Sequence, residues 1–142
     1  MYKYQYTEHD ENLVDEFIER SLKDHIRERR SESEAREDIR IGKLGELAYF
    51  YYAKPDCGEV DWSGRPQGQG ADFTHDDGTR IQVKTIRPEA KWASFYNWNF
   101  DRLVVFREDR GELTLLKDLD AEEVKSIARK SNWTGWYIDP FC

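Results

Sequence analysis

Asp72, Gln82 and Lys84 are the side chains in this sequence most suited to chemistry, because a carboxylate, an amide oxygen and an ammonium together can serve phosphodiester hydrolysis. They flank Asp77-Gly78, a dipeptide that marks a β-hairpin turn. Side chains alternate across a strand, so in Arg80-Ile81-Gln82-Val83-Lys84 the residues Arg80, Gln82 and Lys84 share one face. Asp72 faces away from Ala71 and Phe73. Register then decides whether the three meet. A two-residue turn at Asp77-Gly78 pairs Asp72 with Val83, on the wrong face. A three-residue loop of Asp76, Asp77 and a left-handed Gly78 pairs Asp72 with Gln82 instead.

Under that second register the chemistry is specific. Asp72 and the Gln82 side-chain oxygen are hard ligands of the kind Mg²⁺ or Mn²⁺ accepts, and the Val83 carbonyl is a third. A metal so held lowers the pKa of a bound water and polarises a phosphoryl oxygen. Lys84 is placed to orient or deprotonate that water and to offset charge on the phosphate. Taken singly, Asp72 reads as a solvated strand acid and Lys84 as a surface lysine, so the case lies in their joint register. His75 reads as the end of a strand, with Asp76 and Asp77 shaping the turn.

These residues need elements to hold them. Leu13, Val14, Phe17, Ile18, Leu22 and Ile26 recur at three- and four-residue steps, which predicts a helix from about Glu8 to Arg29. A second helix is expected from Ser31 or Ser33 to about Ala53, with Ser31 and Glu34 forming a capping box and Pro55 beyond its end. Gly42, Glu46 and Ala53 share a face of it, beside Tyr49. Gly42 and Gly45 each cost a helix interior about 1 kcal/mol relative to Ala, so close approach of a strand or ligand is expected there. Strands are expected at 58–62, 70–75, 79–87, 102–107 and 112–116. A last helix is expected over 121–130, capped by Asp120, with Val124, Ile127 and Ala128 inward. The stretch 88–100 reads as irregular or briefly helical, and its aromatics as mostly core. The aromatic tail from Trp133 is expected to dock on the core.

Gly42-Lys43-Leu44-Gly45-Glu46, Gly70-Ala71-Asp72-Phe73 and Gln82-Val83-Lys84 together resemble the PD-(D/E)XK nuclease superfamily, the restriction-endonuclease-like fold, over roughly Ile39 to Arg107. The resemblance implies an α/β (α+β) domain with a mixed central sheet flanked by helices, an αβββαβ core with an added N-terminal and C-terminal helix. It implies a Mg²⁺- or Mn²⁺-dependent endo- or exodeoxyribonuclease acting on DNA. Glu46, Asp72, Gln82 and Lys84 are then the catalytic set, and Asp72, Gln82, Val83 and Glu46 the metal ligands. Ala71 stands where the family name has Pro. Gln82 stands where an acid is usual, as in branches resembling the Mrr and RecB-like nucleases, and this removes one negative charge from the metal site.

The 142 residues fit one domain, divided as a helical extension over 1–33, a catalytic core over 34–108 and a C-terminal strand, helix and tail over 109–142. An aromatic fraction of 14% separates the chain from disordered sequences. No apolar run is long enough for a membrane span, and the N-terminus lacks the apolar region of a signal peptide. Cys57 and Cys142 have no metal spacing and are expected as thiols in a reducing cytoplasm. The net charge of −7 opposes phosphate binding, but 80–107 holds six basic residues against two acidic ones. Lys43, Arg65, Arg80, Arg87 and Lys91 are the candidates for phosphate contacts. A homodimer suits double-strand cutting. The alternatives are an inactive nuclease-fold binding module in a DNA-processing complex, or a protein-interaction domain.

Overall fold

A computed structural model describes residues 1–25, 31–54, 59–62, 71–132 and 135–142. Its elements run β1 (Lys3–Gln5), α1 (Glu8–His25), α2 (Glu32–Ala53), β2 (Phe73–Thr74), β3 (Arg80–Ile86), β4 (Ala93–Phe95), β5 (Arg102–Asp109), β6 (Glu112–Asp120), α3 (Ala121–Ile127), β7 (Arg129–Lys130) and β8 (Trp136–Ile138). The class is α+β, built on a mixed sheet in the order β1-β6-β5-β3-β2, with a separate small sheet in the order β4-β8-β7. In the main sheet β3 and β5 run parallel and the other neighbours antiparallel.

Local chemistry sets the helix starts. The Thr7 hydroxyl accepts from the Asp10 N–H at 3.1 Å and Asp10 accepts from the Thr7 N–H at 2.9 Å, a reciprocal cap that opens α1. Asp10 also accepts from the Tyr4 hydroxyl, which ties β1 to the helix. Ser31 caps α2 through the Glu34 N–H, and Asp120 with Glu123 forms a complete capping box on α3.

Three layers result. Ile81 and Val83 of β3, with Val104, Phe106 and Leu113, pack under Val14, Phe17, Leu44, Leu47 and Ala48 of the two long helices. On the other face Ile86, Leu103 and Val105 meet Phe95, Phe100, Val124 and Ile138 from the small sheet, its approach and α3. Strand β5 lies between the layers. Leu103, Val104, Val105 and Phe106 are all fully buried, as expected of a strand covered on both faces.

Several expectations need correction. Residues 59–62 form no strand. The crossover from β3 to β5 carries β4 rather than a helix, so the second layer comes from the small sheet and α3. The expected helix over 121–130 stops at Ile127, because Arg129 and Lys130 pair with β8, and Ile127 is exposed rather than inward. The main sheet also takes in β1 from before the long helices, which pairs with β6. Cys57, Arg65 and Trp133 lie outside the described residues. Among the described residues no helix is long and apolar enough to cross a membrane.

Candidate active site

The hairpin takes the three-residue loop. The His75 N–H donates to the Thr79 carbonyl at 2.8 Å, and Gly78 sits at φ +90°. That conformation favours glycine. Phe73 therefore pairs with Ile81 and Thr74 with Arg80. One step further along the ladder Asp72 falls opposite Gln82.

At that step β2 ends and a side chain replaces the backbone. Asp72 Oδ2 accepts from the Val83 N–H at 2.8 Å, where a strand carbonyl would otherwise dock. The same oxygen accepts from the Gln82 amide nitrogen at 3.0 Å. The N–H and C=O of a strand residue lie on the same edge, so the Val83 carbonyl also faces the notch that β2 leaves open. Lys84 lies on the same face of β3 as Gln82.

Burial pushes the Asp72 carboxyl above the ordinary carboxylate range, against the opposing pull of the Val83 N–H, Lys84 and Lys43. Burial likewise draws the Lys84 ammonium below the ordinary lysine range, although Asp72 acts to raise it. Each group thus stands in a place poor in water, with its partner only partly restoring its charge.

The helix contributes differently from expectation. Gly45 of α2 packs so closely on Thr85 that a Cβ there would fall on the Thr85 hydroxyl. Tyr49 packs on Phe73. Helix α2 thus covers the Ile81, Val83 and Thr85 face, while Gln82 and Lys84 point to the other. The four expected residues thus lie on two faces of the sheet, not one: Glu46 on the α2 side, and Asp72, Gln82 and Lys84 on the other. Glu46 is buried and accepts from Lys43 Nζ at 3.3 Å. Lys43 Nζ also donates to the Asp61 carbonyl at 2.6 Å and stands 4.5 Å from the centre of the Phe17 ring. The charge of Lys43 reaches Asp72. Close approach accounts for Gly45. It does not account for Gly42, which has open space where a Cβ would stand.

The expected phosphate contacts divide. Lys43 is interior, so it is not a surface contact. Arg80 is held by both oxygens of Asp101, and Arg87 is held by Asp38 at 2.7 Å. Lys91 is exposed and makes no ion pair among the described residues. His75 bonds to the Tyr49 hydroxyl at 2.7 Å, in keeping with a structural place. Sequence reasoning missed the Lys43–Glu46 pair, although the three-residue step between them on a helix is its signal. It also missed β1, whose signal is the alternation Tyr2-Lys3-Tyr4-Gln5-Tyr6. Among the described residues no group of three or more His, Cys, Asp or Glu side chains is gathered as a metal site. No protein-family model matches the chain, and no curated protein matches its sequence.

Proposed function

We propose that the chain is a metal-dependent nuclease of the PD-(D/E)XK kind, hydrolysing DNA phosphodiester bonds at the Asp72 notch. The observation that carries this reading is the Asp72 carboxylate seated on the Val83 N–H beside Gln82, with its charge and that of Lys84 both under-compensated by burial. Shifted acid and base groups acting on one another suit hydrolytic chemistry, whereas a purely structural pair gains from full compensation.

The donor set fits Mg²⁺ or Mn²⁺. Asp72, the Gln82 side-chain oxygen and the Val83 carbonyl are hard oxygens, and Mg²⁺ is commonly held by one or two carboxylates with substrate phosphate completing the shell. A cation there would also relieve the penalty on the Asp72 anion. When bound, such an ion supplies an acidified water and a polarised phosphoryl oxygen. Lys84, drawn toward its neutral form, takes a proton from the attacking water or, charged, neutralises the phosphate. The Val83 N–H and the Gln82 amide fix the Asp72 carboxylate, so that it is oriented before substrate arrives. Glu46 is assigned a supporting role: it holds Lys43, whose charge steadies Asp72.

The test is cleavage of single-stranded, duplex and branched DNA in Mn²⁺, with calorimetric titration of the ion. Asp72→Ala and Lys84→Ala should abolish cutting while the protein stays folded. One observation favours a second reading. The Gln82 amide donates to Asp72, so the pair is satisfied without metal, as an inactive binding module would have it. No heat on Mn²⁺ titration and no cutting of any DNA form would select that module.

A further inference from the structure

The Asp72 notch is held by an amide that faces one particular way. An ionised carboxylate only accepts hydrogen bonds, so an amide beside it must turn its nitrogen inward. Gln82 does so: its Nε2 donates to Asp72 Oδ2 at 3.0 Å, and its oxygen, on the same carbon, is directed elsewhere. The Val83 N–H donates to that same Oδ2 at 2.8 Å. Neither the Gln82 oxygen nor Asp72 Oδ1 takes a hydrogen bond among the described residues. Directly across the sheet Gln82 pairs with Leu103, an apolar side chain that can bond to neither end of the amide. Among the described residues, Asp72 sets which end points inward.

We infer that Gln82 is a cation-operated latch: its Nε2 holds Asp72 while the notch is empty, and the amide turns end for end to present its oxygen when a divalent cation enters. The terminal torsion of a glutamine side chain is broad and two-fold, and its nitrogen and oxygen occupy nearly equal space, so the turn needs no movement of the strand. Turned over, the oxygen would stand where the nitrogen stands now, 3.0 Å from Asp72 Oδ2. Two oxygens at that spacing repel unless a positive charge is shared between them. Two oxygens bound at right angles to one Mg²⁺, each at about 2.1 Å, stand about 3 Å apart. The empty notch therefore already has the spacing that a shared cation needs. The Val83 N–H keeps its bond to Asp72, so the carboxylate is the fixed member and the amide the moving one. A carboxylate at position 82 has no donor end. It would face Asp72 with a like charge in the empty notch, and it would bind the cation more tightly. Gln82 gives weaker binding and an empty site that stays satisfied, so occupancy follows the cation concentration. The inference deepens the nuclease reading by assigning the regulation of its site, and it rests on that reading for a divalent cation at the notch.

The experiment follows the Gln82 side-chain amide by NMR in the nitrogen-labelled full chain during titration with magnesium chloride, its signals assigned by their absence in Gln82→Glu. Without cation, one amide proton is expected downfield and slow to exchange. At saturation it should move to the position of an unbonded amide. Calorimetry should show Gln82→Glu binding Mg²⁺ about tenfold or more tightly than the unaltered chain, and Gln82→Met about tenfold or more weakly. Without cation Gln82→Glu should melt lower at neutral pH, and its melting temperature should rise more on adding Mg²⁺. The latch is overturned if Mg²⁺ binds with heat while the Gln82 amide signals stay in place, or if Gln82→Met binds Mg²⁺ as tightly as the unaltered chain. Either result leaves the nuclease reading standing. An amide that turns over with no cutting of any DNA form keeps the latch and removes the nuclease reading. No heat with Mg²⁺ at millimolar concentration removes both.

Discussion

Two lysine–acid pairs, one fully buried and one half-buried, lie close together and are solved in opposite ways. Lys43 and Glu46 sit on one helix, three residues apart, and Lys43 is further satisfied by the Asp61 carbonyl and the Phe17 ring. Asp72 and Lys84 sit on two strands, at the point where the ladder fails, and burial works against the charge of both. Burial of charge is common to the two pairs, so burial is not the mark of a reactive site. On the proposed reading, the mark is charge held without full compensation, beside a gap in the backbone bonding.

That contrast can be broken most severely at the notch. Lys84→Ala and Asp72→Asn should each lower DNA cleavage by about 10²–10⁴-fold, read in single-turnover assays. Asp72→Asn should not lower the melting temperature, since the amide oxygen still accepts from Val83 and a desolvated anion is gone. A clear fall in melting temperature would instead make the pair structural.

The closed pair predicts the opposite behaviour. Lys43→Met removes the ammonium from beside the buried Glu46 carboxylate and should cost about 3–5 kcal/mol in urea unfolding, and the double change Lys43→Met with Glu46→Leu should recover most of it. Equal losses in the single and double variants would show that the pairing is not what stabilises this region.

Packing that holds the two pairs apart gives a smaller effect. Gly45→Ala forces α2 off Thr85 and should cost about 1–3 kcal/mol, with partial recovery on Thr85→Ala. The Thr85 hydroxyl is buried with no hydrogen-bond partner among the described residues, so its removal alone carries little penalty.

The pH dependence of stability gives the smallest and most selective sign. Asp72 has its folded pKa above the unfolded one, so between those values the native state binds the extra proton. Stability falls as pH rises through that acid window. Lys84 has its folded pKa below the unfolded one, so stability rises again as pH approaches the ordinary lysine range. Asp72→Asn should remove the acid limb and Lys84→Met the alkaline one, measured by urea unfolding across pH.

Much of this was legible in the sequence because it is local. The period of the apolar residues marks α1 and α2, and the three-residue loop with its Gly78 sets the Asp72–Gln82 register. The caps at Ser31 and Asp120 follow from single residue types. What escaped depends on distant partners. Residues 59–62 have strand-like composition but join no sheet among the described residues. Arg129 and Lys130 continue a helical pattern until β8 claims them, a case of tertiary pairing overriding propensity. The face on which α2 lies could not be read from its glycines alone, and that choice sends Glu46 to Lys43 rather than to a shared pocket with Lys84.

The pairing of Lys3 with Thr114 has a bearing on how the chain acquires its shape. The outer strand of the main sheet lies N-terminal to both long helices, whereas its partner β6 follows β5 far along the chain. Tyr2, Tyr4 and Tyr6 take their places when that distant pairing closes, and β1 then covers the edge of β6. Such a long closure slows folding, and it makes the last strand to dock the first that a protease or a chaperone can intercept.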